Sequence, residues 1–440
     1  MSLREHCKQA ERIREQGYYS LFSQLPLVQT LKGADVIVES FFRRSEEGRS
    51  LQMHVGVGVL GATGYIGAPY RNEIRQSGDA ARIVALCARR QDRLKEAARL
   101  DEAALVTDQW QDVVEHPEVD LVLVLTPDAL HFEPVMACAA RQKHVVCEKP
   151  VGIDARQAMT MWQAIREAGV FHFVPYWTRY HPLFLRARQF VDEGRLGVVQ
   201  GVVYRWHNPR PRNMPYTWRD DAQLSAAGSI ADVGSHAYDT IRFILREEAQ
   251  SVVAHSDTVM PPKPDVGDVD LGEAIAWGEQ HATDDADARR GGGTPDFCQL
   301  LLRFPSGIRG CMILSHASYY RKGFAPELEL HGTDGSLSID RFSGELRFSD
   351  SPDPASVVET ITEDIPKNRF GSVVFPALSE HLAGNSSDDR DTQNRWPDLQ
   401  DGWRVQVFVD AVVASARQRQ WIELSGVEAS SAGPAQFQQV

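Results

Sequence analysis

The chain has 440 residues, 42% of them hydrophobic and 24% charged, a balance ordinary for a folded globular protein that argues against collagen-like or largely disordered structure. Sixty acidic against 47 basic side chains leave a net charge of −13, which disfavours sequence-independent binding to nucleic acid or to an anionic membrane. The longest apolar runs, such as Leu121 to Leu125, are far shorter than the ~20 residues needed to span a bilayer, and the mean hydropathy is −0.33.

This length predicts two or three domains and a cleft between them. The opening residues carry charges throughout rather than an apolar secretory core, so the expected compartment is the cytoplasm. Six cysteines (Cys7, Cys87, Cys138, Cys147, Cys298, Cys311) are scattered without CxxC spacing. That pattern suggests reduced thiols, with neither a disulfide framework nor a zinc site.

In chain order, residues 1–52 read as an extension, with a charged helical stretch from Arg4 to Gln16 and a polar run from Arg43 to Ser50. Met53 precedes the first strong strand and is an alternative start, which the intact mass of the native protein tests. From His54 the signals alternate: strand 54–60, glycine turn, helix 66–77, strand 82–87, helix 91–99, strand 121–125, helix 129–141, strand 144–147, helix 154–168 and strand 170–175. Such alternation predicts a parallel, doubly wound α/β sheet over 53–175.

Beyond Tyr176 the rhythm changes to a helix 182–193, a strand 198–206, an aromatic and Arg-rich loop to 227 and a helix 229–245. Apolar alternation at 251–255, 297–304, 308–315, 327–332 and 335–340 predicts a large, mainly antiparallel sheet. A helix 402–418 and a strand 420–424 complete an α+β region over 176–425. Within it, 261–295 reads as a surface insertion rich in Asp, Gly and Pro, while 383–400 and the tail 426–440 read as mobile polar segments.

Five short stretches carry chemistry. The first strand runs into Gly61-Ala-Thr63-Gly64-Tyr65-Ile66-Gly67, glycines that permit a tight turn and close backbone approach to a pyrophosphate at a helix N-terminus. The spacing is GxxGxxG rather than GxGxxG, so the reading rests on its place after a first strand. The second strand ends in Ala88-Arg89-Arg90, without the acid that usually accepts ribose hydroxyls. Arg89 and Arg90 instead suit a 2′-phosphate, making NADP the preferred cofactor and NAD the alternative. Plain solvated arginines fit the same residues.

Thr126-Pro127-Asp128-Ala-Leu-His131 and Glu148-Lys149-Pro150 fall at strand C-terminal ends, where open α/β sheets bind ligands. Taken singly, Lys149 reads as a surface ammonium and His131 as a helix-start residue. Asp232 and His236, in Asp232-Val-Gly-Ser-His236, are four apart and share a helical face, a spacing equally consistent with a structural pair. No third ligand at a recognisable spacing supports a metal.

As an ordered set, the glycine turn, TPDALH, HVVCEKP at 144–150, DVGSH at 232–236, LLLRFPSG at 300–307, ELHGTDGSL at 329–337 and the closing Asp401-Gly-Trp403 helix resemble the glucose-fructose oxidoreductase, inositol dehydrogenase and rhizopine-catabolism (Gfo/Idh/MocA) oxidoreductases. The resemblance covers about 53–425 of this sequence. It implies an N-terminal Rossmann domain, a C-terminal α/β domain whose open sheet packs between subunits, and a homo-oligomer, dimer or tetramer. It also implies NAD(P)-dependent hydride transfer at a hydroxyl carbon of a sugar, inositol or related polyol.

Carried over residue by residue, the resemblance places Lys149 against substrate and cofactor and completes the catalytic group with Asp232 and His236. The residues expected to hold the cofactor are Gly61, Thr63, Gly64, Tyr65 and Ile66 of the glycine turn, Thr126, Pro127, His131 and Glu148 at the strand ends, and Arg89 and Arg90 on the chemistry of their guanidiniums. A neutral imidazole, with an ordinary pKa of about 6.5, suits a base, and an ammonium suits developing alkoxide charge. Tyr176, Arg179, Tyr180 and His181, with Trp206, Arg212 and Trp218 of the later loop, offer aromatic faces and donors for a polyhydroxylated ring or, equally, interdomain packing. Departures from the family pattern are the longer glycine turn, the missing acid, Ala227 before Gly228 and the insertion.

Two other enzyme classes fit poorly. A semialdehyde dehydrogenase needs a cysteine nucleophile beside a base, and the late cysteines lie in apolar strand patterns. A short-chain epimerase or dehydratase needs Tyr-x-x-x-Lys, which the chain lacks. A non-catalytic nucleotide- or sugar-binding regulator is the alternative from a different functional class.

Overall fold

The structure, a computed structural model, describes residues 54–281, 288–351, 357–361, 363–384 and 396–431. The extension at 1–52, most of 383–400 and the end of the tail lie outside them.

The first strand, β1 (Val55–Leu60), is buried on both faces, as its unbroken apolar run requires. It is followed by α1 (Gly67–Gln76), β2 (Ala81–Cys87), α2 (Gln91–Asp101), β3 (Leu105–Thr107), α3 (Trp110–Glu115), β4 (Leu121–Val124), α4 (Phe132–Ala140), β5 (His144–Cys147), α5 (Ala155–Ala168) and β6 (His172–Phe173). The strands form a wholly parallel sheet in the order β3-β2-β1-β4-β5-β6. That is the dinucleotide-binding order, with its switch point between β1 and β4.

After α6 (Pro182–Asp192) the chain builds a mixed sheet from β7 (Val199–His207), β8 (Ser251–Asp257), β11 (Phe297–Arg303), β12 (Arg309–Ser315), β13 (Leu328–Gly332), β14 (Ser336–Asp340), β15 (Glu345–Ser349), β16 (Val357–Thr360) and β17 (Ile422–Glu423). Their order is β16-β15-β14-β13-β7-β12-β11-β8-β17, antiparallel except where β7 lies parallel to β12. Helix α7 (Ser235–Leu245) follows a single π-helical turn, Ile230–Gly234.

The insertion is more ordered than its composition predicts. It carries a short antiparallel pair, β9 (Lys263–Pro264) with β10 (Arg289–Arg290), and helix α8 (Leu271–Gln280). Asp270 caps α8 through a reciprocal box with Glu273, a local signal strong enough to start a helix in polar sequence. Further on, α9 (Phe375–Leu382) and the 20-residue α10 (Leu399–Gln418) precede β17. The tail also departs from expectation, because α11 (Leu424–Ser431) packs beside α10 and α5.

Candidate active site

The glycine turn is built by close approach. Gly61 has φ +78°, and a Cβ there would stand 2.5 Å from the Leu125 carbonyl oxygen; at Gly67 it would stand 2.6 Å from that of Gly61. Side chains are therefore excluded where the helix must approach the sheet. The amides of Gly61 and Ala62 donate to Cys87 O, and those of Gly64 and Gly67 donate within the turn. The Thr63 and Ile66 amides donate to no backbone carbonyl among the described residues. This is a cradle that fits a pyrophosphate at the start of α1.

The neighbouring strand ends are tied together beneath the groove. His131 is fully buried, its Nδ1 3.0 Å from Pro150 O and its Nε2 2.8 Å from Thr126 O. It therefore braces the two loops and cannot touch a cofactor, correcting the role expected for it. Glu148 turns both carboxylate oxygens toward the chain, accepting from Tyr70 OH at 2.8 Å and from Lys149 N at 3.1 Å. Thr126 and Pro127 stay half-buried at the end of β4.

Lys149 leaves β5 just before a cis peptide to Pro150 and reaches into the second half of the chain. Its Nζ donates to Asp232 Oδ1 at 2.8 Å and to Asp232 O at 3.0 Å. The other carboxylate oxygen of Asp232 accepts from Arg210 Nη2 at 3.2 Å, with His316 Nε2 also at 3.2 Å but outside hydrogen-bond alignment. Burial works to raise the Asp232 pKa, yet the Lys149 ammonium, ahead of His316, prevails and holds it well below the usual carboxylate range.

His236 lies one turn further on. Its ring stacks on Trp206 at 5.6 Å and meets the edge of Tyr176 at 5.9 Å, while Nδ1 has no hydrogen-bond partner among the described residues. Burial, then the Lys149 ammonium, push its pKa well below the ordinary histidine value. The imidazole is accordingly neutral beside a cation. Asp128 completes the cluster: burial raises its carboxyl to about 7, against the opposing pull of the Ala226 amide and Lys149.

Lys149, Asp232 and His236 thus lie together. Other expected site residues do not join them. Tyr176 is fully buried behind His236, and Arg179 is committed to ion pairs with Asp239 and Asp401 at 2.5 and 3.1 Å, so neither faces a substrate. Trp218 lies under the Arg219 guanidinium at 4.3 Å, His181 caps α6, Tyr180 packs beside Trp177, and Arg212 is exposed.

Arg89 and Arg90 are also engaged, by Asp268, Asp270 and Glu273 of the insertion. Both guanidiniums that the sequence offers to a 2′-phosphate are therefore already ion-paired. Sequence reading missed Arg210 and His316, isolated residues just beyond β7 and β12 that carry no motif. With Thr217, Arg219, Asp220 and Lys263 they line a recess beside the cluster.

A Rossmann sheet with a glycine cradle, whose Lys149 beyond β5 meets Asp232 and a neutral histidine supplied by the second half of the chain, defines an NAD(P)-dependent oxidoreductase. Family models agree: "Oxidoreductase family, NAD-binding Rossmann fold" matches residues 55–176, and "GFO/IDH/MocA C-terminal domain" matches 184–338. The chain belongs to the Gfo/Idh/MocA family. It is 25% identical over 358 residues to levoglucosan dehydrogenase of Pseudarthrobacter phenanthrenivorans, covering 76% of this chain and 87% of that protein. It is 27% identical over 287 residues to myo-inositol 2-dehydrogenase of Thermotoga maritima, covering 64% and 75%. A solved structure of levoglucosan dehydrogenase in complex with NADH superposes with a TM-score of 0.70 at 20% identity, over 84% of this chain and 99% of that one.

Proposed function

We propose that the protein oxidises a hydroxyl carbon of a sugar, inositol or related polyol, or reduces the corresponding ketone, with Lys149, Asp232 and His236 as its catalytic group. The observation that carries this reading is the 2.8 Å bond between Lys149 Nζ and Asp232 Oδ1, which joins the dinucleotide half to the helix bearing His236. A bound nicotinamide supplies the hydride acceptor. His236, held neutral, takes the hydroxyl proton through its imidazole. Lys149 orients that oxygen and stabilises its negative charge, and Asp232 fixes the ammonium by sharing its proton donors.

The Trp206 indole beside His236 offers an apolar face, and the recess of Arg210, Thr217, Asp220 and Lys263 offers both donors and acceptors. A polyhydroxylated ring needs that mixture. The names of the levoglucosan and myo-inositol dehydrogenases support the same substrate class. Titration of a sugar and polyol panel, followed by reduced-nicotinamide absorbance, tests the reading. Turnover lost in Lys149→Ala and His236→Asn supports it; cofactor binding with no turnover on any polyol favours the regulator instead.

We further propose a cytoplasmic homo-oligomer, dimer or tetramer. Leu301, Phe342 and Val358, each at least 42% exposed, are apolar side chains that a subunit contact would cover. Light scattering tests the assembly, and a monomer at micromolar concentration rejects it. Among the described residues no helix is long and apolar enough to cross a membrane.

A further inference from the structure

The acid missing from the end of β2 has a counterpart elsewhere in the chain. In a Rossmann domain the residue just after β2 meets the adenosine ribose, where a carboxylate accepts its hydroxyls or an arginine takes a 2′-phosphate. Here β2 ends at Cys87 and is followed by Ala88, Arg89 and Arg90. Arg90 Nη2 donates to Thr63 O of the glycine turn at 3.3 Å, so this guanidinium stands beside the cradle itself.

Three carboxylates from the insertion arrive at the same place. Asp270 Oδ2 accepts from Arg90 Nη2 and from Arg93 Nη1, both at 3.2 Å. Glu273 accepts from Arg90 Nη1 at 2.7 Å and also pairs with Arg93. Asp268 pairs with Arg89 at 3.2 Å, but both side chains are more than half exposed, and solvent leaves such a pair little energy. Arg90 is only 22% exposed and Asp270 18%, so the discriminating charges are the half-buried ones. The contact is also a packed one: Tyr65 of the turn lies against Leu271, Ala274 and Met214. A Cβ at Gly272 would stand 3.2 Å from the Tyr65 ring.

We infer that Asp270 and Glu273, carried to the end of β2 by the insertion, are the residues that select the dinucleotide, favouring NAD and rejecting NADP. Three arginines and three carboxylates leave the corner without net charge. A 2′-phosphate entering it must strip Arg90 from its partners and leave two half-buried carboxylates facing a dianion. A ribose hydroxyl meets acceptors instead, as it does where β2 ends in an acid. The inference concerns the cofactor alone and rests on the dinucleotide-binding half of the function, not on the identity of the sugar.

Both residues also form the α8 capping box, with Asp270 Oδ1 accepting from Glu273 N at 3.0 Å and Glu273 Oε2 from Asp270 N at 2.8 Å. A purely structural role is therefore the rival reading. Asp270→Asn and Glu273→Gln separate the two, because Asn caps as well as Asp and Gln serves at the third position while both lose the charge.

The experiment is titration of full-length protein with NADH and with NADPH, without substrate, read by nicotinamide fluorescence at low and moderate salt. The wild type should bind NADH at least about tenfold more tightly, since a 2′-phosphate meets like charge at this corner. In the double variant NADPH should gain roughly tenfold while NADH changes less than about threefold. A wild type that prefers NADPH, or a folded variant with an unchanged ratio, overturns the inference. Should the double variant fail to fold, Glu273→Gln alone must move the ratio in the same direction. Binding is read without turnover, so failure of the sugar proposal leaves this result intact.

Discussion

At the scale of single residues, the cluster works by unequal burial of charge. Lys149 and Asp232 satisfy each other, while His236 beside them is left neutral because burial and the ammonium both oppose its protonation. A base whose pKa is depressed stays competent as the pH falls through the ordinary histidine value. The acid limb of kcat/KM due to His236 should therefore lie below about pH 6.5. A limb at or above that value that survives in Asp128→Asn would reject His236 as the base. Lys149→Ala should lower kcat/KM by at least about a hundredfold, the scale of lost proton transfer and charge stabilisation, with the melting temperature tracking overall folding.

Asp128 provides a second residue-level prediction. Its carboxyl is raised from the ordinary 3.8 to about 7 by burial. Between those values the native state keeps a proton that the unfolded chain has lost, so stability falls as pH rises through the window and levels off above about 7. Asp128→Asn keeps an acceptor for the Ala226 amide without the charge. Its melting temperature relative to wild type should therefore rise from pH 4 to pH 8, and a constant difference would show that the carboxyl does not titrate there.

At the scale of elements, much was legible because helices and strands announce themselves by local period. β1, β2, α2, β5, α5, β7 and β11 fall within a residue or two of the segments read from apolar patterning. β3 and α3 escaped because three and six residues are too few to display a period. Helix 229–245 divides into a π turn and α7, a local irregularity common at functional sites that residue counting cannot register. α8 was hidden by the Asp, Gly and Pro around it, although its Asp270/Glu273 box was a readable start signal.

The glycine turn carries the prediction that belongs to this scale. A side chain at position 67 would meet the Gly61 and Ala62 carbonyl oxygens at 2.6 and 2.8 Å. Gly67→Val should weaken dinucleotide binding by more than about tenfold, because displacing the cradle's amides forfeits their fixed hydrogen bonds. Fluorescence titration checks this, with circular dichroism reporting whether the sheet survives.

At the scale of the whole molecule, the late helix α10 grips the dinucleotide half. Val174 N donates to Pro397 O at 2.9 Å, Ala155 N donates to Asp410 Oδ2 at 2.7 Å, and Trp403 stacks on Trp162 at 5.2 Å. A Cβ at Gly402 would stand 2.4 Å from Val151. Gly402→Leu should therefore destabilise by about 1–3 kcal/mol through overpacking. Denaturation followed by tryptophan fluorescence and by circular dichroism should show one coincident transition shifted downward; two separate transitions would show that the halves unfold independently.

What the sequence by itself determined is local: the parallel and antiparallel rhythms, the glycine turn after β1, and the ordered motifs that resemble a dehydrogenase family. Those follow from side-chain period and backbone sterics over a few residues, which spacing records directly. The tertiary structure alone decided which charges are spent and which are free. Lys149 meets Asp232 across 83 positions, and Arg90 meets Asp270 across 180. A guanidinium read as a phosphate clamp becomes half of an ion pair because Coulomb energy depends on distance and burial in space, and neither is written in the order of residues.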